Sequence, residues 1–318
     1  MGQSVCQFCC VVSFMKNIRR VVLFLFAGLL VNIMPAKALQ APDSLTLEGI
    51  EDSFKIDQIL QEHPSLRYLS LEFNYFTYLP ESLRTQTDLR ILSLRSNRIE
   101  QLPGWFTELQ SLHSLDLGYN TALDMYQAAT VLADIPELTN LEAYQCDLYA
   151  VPEEFAELSR LQHLDLSYNR LSKLPQAIAS MPALQNLVLD NNTGLSTSAA
   201  FSVVSQSESI TSLSLMECGI IWLGPEMAGL NKLTRLNLNF NQLTTLPSEI
   251  GQLTSLKKLA LNGNPLASVP AEIGELKQLR ELYLTGTDLT GEQVAELHGW
   301  LPDCKIVWNK VTYGSAEQ

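Results

Sequence analysis

Between Leu66 and Leu289 the apolar positions recur on one frame. In the stretch Leu161 to Ala183, LQHLDLSYNRLSKLPQAIASMPA, leucines at 161, 164 and 166 precede Asn169, and Leu171, Leu174, Ile178 and Met181 follow it. Leu164 and Leu166 alternate with Asp165, the two-residue period of a strand with one buried face. Asn169 closes the strand. Its amide both donates and accepts, so it can satisfy backbone groups buried where the chain turns. Pro175 follows, as Pro80, Pro103, Pro152, Pro247 and Pro270 do in other units. A residue without an N–H suits the start of a non-strand segment. Ile178 and Met181 then point inward from one short helical turn.

The first positions of the units are Leu66, Leu89, Leu112, Leu138, Leu161, Leu184, Ile210, Leu233, Leu256 and Leu279, spaced by 23 or 26 residues. One unit cannot bury its apolar face alone, but a stack can. Stacking predicts a ladder of Asn74, Asn97, Asn120, Asn169, Asn192, Asn241 and Asn264. The two 26-residue units, from Leu112 and Leu184, lack Leu-Pro; Met125–Leu132 and Ser198–Val204 read as longer helices there. A shift of 72 residues maps Asn120-Thr121 onto Asn192-Thr193 and Cys146 onto Cys218, which points to duplication of three-unit blocks.

An open core end would face water, so both ends need caps. Ser44 to Leu47 reads as an irregular strand, and Ser53 to Glu62 as a helix with Phe54, Ile59 and Leu60 inward. Thr290 to Gly299 reads as a helix with Val294 and Leu297 inward, Lys305 to Trp308 as a last strand, and Tyr313 to Gln318 as a tail. The expected organisation is a leader over 1–38, an N-terminal cap over 39–65, repeats over 66–289, and a C-terminal cap with tail over 290–318.

The frame matches L-x-x-L-x-L-x-x-N/C-x-L. With Leu243-Thr244-Thr245-Leu246-Pro247-Ser248-Glu249-Ile250-Gly251-Gln252-Leu253, the chain resembles leucine-rich repeat proteins of the 23-residue L-x-x-L-P-x-x-I-x-x-L class, Ras-scaffold-like and disease-resistance-like, as a bacterial secreted member. The resemblance runs from about Leu45 to Trp308. It implies an α/β fold: a right-handed horseshoe solenoid with a concave parallel sheet of about eleven or twelve strands and short convex helices. It also implies protein–protein interaction as the usual role, without naming a partner. The departures are Cys146, Cys218 and Thr287 at the Asn position, Gln86 in place of Leu, and Leu223-Gly224-Pro225 in place of Leu-Pro. They read as local irregularity.

Composition agrees with this reuse of one residue type: 57 of the 318 residues are leucine. The net charge is −13, and every basic residue before Leu39 (Lys16, Arg19, Arg20, Lys37) precedes the first acid, Asp43. From Leu39 on, 17 basic residues face 34 acidic ones. That balance disfavours nucleic acid and anionic membranes as partners. Met15 to Arg20 is a basic n-region, Val21 to Val31 an apolar core too short to span a bilayer, and Ala36-Lys37-Ala38 a cleavage site. The mature chain is therefore expected to start near Leu39 and to be secreted, periplasmic or displayed on the cell surface, without membrane insertion. The alternative is an uncleaved anchor over 21–36. Met15 reads as the true start. Met1-Gly2 does not fit acylation, since Cys6 stands where myristoylation wants Ser or Thr.

Of the cysteines beyond the leader, Cys146 and Cys218 share one repeat position three units apart. At about 4.8 Å per strand that separation is about 14 Å, beyond the roughly 7 Å a disulfide spans. Cys304 has no evident partner, and nothing in the spacing reads as a zinc site. The strand positions between leucines are expected to face solvent. Asp116, Glu142 and Asp165 occupy that position in successive units, with Asp190 and Glu217 nearby. Like charges about 5 Å apart repel, and a cationic ligand would relieve this. Phe73, Tyr119, Tyr144, Tyr168 and Phe240 flank the stripe and offer contact area with a polar tip in the tyrosines. An acidic surface without a ligand, and tyrosines stacked within the sheet, are the plainer readings. His113 and His163 lie near these acids, but two strands apart and without an oriented nucleophile, so no enzyme, metal or cofactor is expected. The expected function is a monomeric scaffold binding a protein or peptide, basic chemistry fitting best, through its concave face. Cell-wall or surface carbohydrate, or a structural or adhesive role, are the alternatives.

Overall fold

The computed structural model describes residues 43–50 and 53–309. The leader and the tail read above lie outside them. Twelve three-residue strands form one parallel sheet in chain order. They are β1 (Ser44–Thr46), β2 (Tyr68–Ser70), β3 (Ile91–Ser93), β4 (Ser114–Asp116), β5 (Asn140–Glu142), β6 (His163–Asp165), β7 (Asn186–Val188), β8 (Ser212–Ser214), β9 (Arg235–Asn237), β10 (Lys258–Ala260), β11 (Glu281–Tyr283) and β12 (Lys305–Val307). Like positions pair across strands, as Leu141 with Leu164 and Leu164 with Leu187. Leucines therefore stack on leucines, and each first-position residue from Leu66 to Leu279 is at most 3% exposed. Each such burial contributes about 1.5–3 kcal/mol relative to exposure.

The return segments opposite the sheet are short. Most are five-residue 3-10 turns that start after Pro, as Glu81–Thr85, Glu153–Glu157 and Ser248–Gln252 do. The longer units carry α-helices, Met125–Ala133 and Thr197–Val204. Their first turns are capped by the Asp124 carboxylate, on Tyr126 and Gln127 N–H, and by the Ser196 hydroxyl, on Ala199 N–H. The helix Gly291–Trp300 closes the C-terminal end behind a Thr290–Gln293 capping box, with Val294 and Leu297 buried. At the N-terminal end, the helix Ser53–Glu62 buries Ile56 and Leu60, while Phe54 is 63% exposed. This corrects the expected inward face. Ile56 and Leu60 lie one helical turn apart on one side, and Phe54 falls nearly opposite Ile56.

The asparagine ladder works in both directions. Asn169 Nδ2 donates to Ala143 O (2.9 Å) and Leu166 O (3.0 Å), and its Oδ1 accepts from Cys146 N and Leu148 N (both 3.0 Å). Each ladder amide thus hands an acceptor back to the unit before it. The exceptions follow from this. The units holding Asn120, Asn192 and Asn264 close their own turns, Leu123 N on Asn120 O, Leu195 N on Asn192 O and Leu266 N on Asn264 O. The next ladder position then needs only a donor. It is filled by Cys146, Cys218 and Thr287, which donate to Leu117, Leu189 and Leu284 carbonyls. Gln86 is equally specific: buried, it accepts from Leu66 N and donates to Leu60 O and His63 O, tying the N-terminal helix to the first repeat. These four departures are fitted replacements, not irregularities. Cys146, Cys218 and Cys304 are all buried free thiols.

Candidate binding surface

The residue before each ladder position has a left-handed backbone. It is Phe73 (φ 56°), Tyr119 (61°), Tyr168 (56°) and Phe240 (55°) in four units, and Gly263 and Gly286 in two others. Its N–H donates to the next unit, as Tyr119 N to Tyr144 O at 3.0 Å, so the stack fixes the geometry. Glycine would take this φ freely, whereas an aromatic side chain there costs about 1–2 kcal/mol. These aromatics are half exposed and return little core burial.

The three acids stand in register, Asp116 beside Glu142 and Glu142 beside Asp165. Asp116 and Asp165 each accept a backbone N–H two residues on, from Gly118 and Ser167, both at 2.8 Å. Glu142 makes no such bond among the described residues. Burial raises the Asp116 carboxyl to about 6, against the pull of Gly118 N–H and Arg95. Burial, then the charges of Asp116 and Asp165, raise Glu142 to about 7. Asp190, although it accepts from Ser214 Oγ and Met216 N, is raised by burial to about 6. The expected solvent-facing row is thus partly desolvated. Ser70, Ser93 and Ala260, on the same row, are buried outright; Ser93 Oγ donates to Glu72 at 2.8 Å, which closes over it.

Arg95 and Glu72 were not singled out in the sequence. The Arg95 guanidinium lies 5.1 Å from the ring centroids of both Tyr119 and Tyr144, which meet edge to face at 5.4 Å. Its charge favours the ionised forms of Asp116 and Glu142. Tyr144 lies flat over Gly118: a Cβ there would fall 2.5 Å from the ring, so Gly118 makes room for it. The only sequence signals were an arginine at an outward position one strand before the acids and a glycine before Tyr119. The structure therefore gathers Asp116, Glu142, Tyr119 and Tyr144 around Arg95, with Asp165 next in the row beside Glu142. Tyr168 stands at the rim, where it feels Glu217 and Asp190. Phe73 and Phe240 lie on distant units, Phe240 against Gly263. Burial lowers the His163 imidazole below its usual value, against the pull of Asp165, and His113 lies 3.9 Å from Glu137. Among the described residues no group of three His, Cys, Asp or Glu could hold a metal ion.

The family model described as leucine rich repeat matches residues 63–122, 131–193, 208–266 and 231–289. The chain belongs to the leucine rich repeat family. No curated protein matches it. Among solved structures, an internalin from Listeria monocytogenes is similar at 21% identity and a TM-score of 0.58, covering 85% of this chain and 81% of that one. Toll in the Toll–Spatzle complex from Drosophila is similar at 17% identity and 0.55, with 85% of this chain covering 47% of that one. These likenesses are of fold. No helix among the described residues of this repeat protein is long and apolar enough to cross a membrane.

Proposed function

We propose that this leucine rich repeat protein is an exported binding scaffold that takes a basic protein or peptide segment across β4–β6. The observation that carries the reading is the Asp116–Glu142–Asp165 row, three half-buried acids in register, of which burial raises Asp116 and Glu142 against the pull of Arg95. Asp116 and Asp165 each satisfy one backbone N–H, but crowding three half-buried acids works against the fold. A lysine or arginine side chain laid across them would relieve the repulsion and favour the ionised forms of Asp116 and Glu142. Tyr119 and Tyr144, rigid and partly exposed beside the row, supply contact area. The partner of Toll in its complex is Spatzle, and protein recognition by the same fold is consistent with this reading. Export follows from the basic n-region, the short apolar core and Ala36-Lys37-Ala38.

A fluorescent lysine-rich peptide titrated into the chain at low and at raised salt tests the proposal. Affinity should fall steeply with salt and drop about tenfold or more in Tyr119→Ala/Tyr144→Ala. Absence of binding at low salt, with retention of a polysaccharide probe insensitive to salt, would replace it with carbohydrate recognition.

A further inference from the structure

The acidic row is one part of a larger division of charge; the like positions of the two units before it carry Arg67, Arg90 and Arg95 against Glu72, with Arg67 paired to Asp43 and Arg95 set among the tyrosines. In each repeat, positions two, three, five, seven and eight lie off the buried leucine face. Across the units of β4–β8 these positions carry five carboxylates, Asp116, Glu142, Asp165, Asp190 and Glu217, and no lysine or arginine. Across β9–β12 the sign reverses, with Arg235, Lys257, Lys258, Arg280 and Lys305 against one acid, Glu281. That acid is already engaged. Lys258 Nζ lies 3.1 Å from it and the Tyr283 hydroxyl donates to it at 2.9 Å, and both hold its carboxyl below the usual value. Arg235, Lys257, Arg280 and Lys305 are exposed and make no ion pair among the described residues. Lys258 also sits 4.9 Å over the Tyr283 ring, so this half has an aromatic floor of its own.

We infer that β9–β12 form a second subsite of opposite sign, which takes an acidic segment of the same polypeptide whose basic segment lies on β4–β8. The inference rests on the reading of β4–β6 as the site of a basic ligand. Charge complementarity selects the occupant: a uniformly basic chain would be repelled by the C-terminal strands, and a uniformly acidic one by the middle strands. The sheet also sets the spacing. From Glu142 on β5 to Arg235 on β9 is four strand steps, and to Lys305 on β12 is seven, about 19 and 34 Å at about 4.8 Å per strand. An extended peptide rises about 3.3 Å per residue. The two charge centres of the ligand should therefore lie roughly six to ten residues apart.

Fluorescence anisotropy with four probe peptides tests this. They are a four-lysine block alone, a four-glutamate block alone, and the two blocks joined directly or by four neutral residues, which sets their centres about four or about eight residues apart. The spaced peptide should bind about tenfold or more tighter than the lysine block, through tethering of the second contact. The directly joined peptide should gain little. Arg235→Glu/Lys257→Glu/Lys305→Glu should remove the gain and leave the lysine block's affinity unchanged; the glutamine triple gives the same readout if the reversal disturbs folding. A gain that survives these substitutions, or no gain at all, overturns the second subsite while the basic-ligand reading stands. Failure of the lysine block to bind overturns that reading; the glutamate block must then bind alone, and be lost in the triple variant, for the basic subsite to survive. Self-association in sedimentation that Asp116→Lys/Glu142→Lys/Asp165→Lys and Arg235→Glu/Lys257→Glu/Lys305→Glu each abolish would make the occupant a second copy and overturn the inference.

Discussion

Replacing Glu142 by Gln keeps the shape of the side chain and removes a charge the fold does not accommodate well. In the folded chain, burial and the neighbouring Asp116 and Asp165 raise this carboxyl from 4.5 to about 7. A raised acid holds its proton more tightly in the folded state than in the unfolded one. Its contribution is therefore whole below about pH 4 and is lost as pH rises through 7. The difference between 4.5 and about 7 corresponds to about 3 kcal/mol, which solvent on the open side of the row reduces to about 2 kcal/mol. Glu142→Gln should thus stabilise the chain by about 2 kcal/mol at pH 8 and by less than about 0.5 kcal/mol at pH 4. Urea unfolding of both proteins at the two pH values measures this directly. Equal gains at both pH values, or a loss at pH 8, would refute the claim that the row is crowded and desolvated.

The ladder and the left-handed positions give two further tests. Leu164→Ala should lose about 2–5 kcal/mol through transfer and cavity terms, and Asn169→Ala about 1–3 kcal/mol by stranding the N–H groups of Cys146 and Leu148. Exposed Lys173→Ala should change little; similar denaturant midpoints for all three would contradict the register. At Tyr168, with φ 56°, the Gly variant should be more stable than the Ala variant by about 1 kcal/mol. An Ala variant at least as stable in thermal melts would show that the backbone there carries no strain.

The solenoid was legible because its period is carried by buried leucines, one residue type in one role, and the sheet register follows from that period alone. The ladder was legible for the same reason. What escaped was the logic of its exceptions. Cys146, Cys218 and Thr287 look like lapses until the turn of the preceding unit is seen to have closed itself. Gln86 looks like a lapse until the helix end it ties is in view. Phe54 was misplaced because a ten-residue helix with apolar residues at 54, 56, 59 and 60 admits two inward faces, and packing decided for Ile56 and Leu60. At the candidate surface, the alignment of Asp116, Glu142 and Asp165 could be read from spacing. The burial of Asp116 and Glu142 could not, nor could the packing of Tyr144 over Gly118 and of Arg95 against both tyrosines, which turn on where long side chains come to rest.

An acidic row kept for a ligand and against stability should lose binding and gain stability together when its charges are removed, and one variant reads both. In Asp116→Asn/Glu142→Gln/Asp165→Asn, urea midpoints and affinity for a lysine-rich peptide should be measured on the same preparation at pH 7.5. The predicted result is a higher midpoint together with a loss of affinity of about tenfold or more. Unchanged affinity, or a fall in midpoint alongside the loss of binding, would contradict the account.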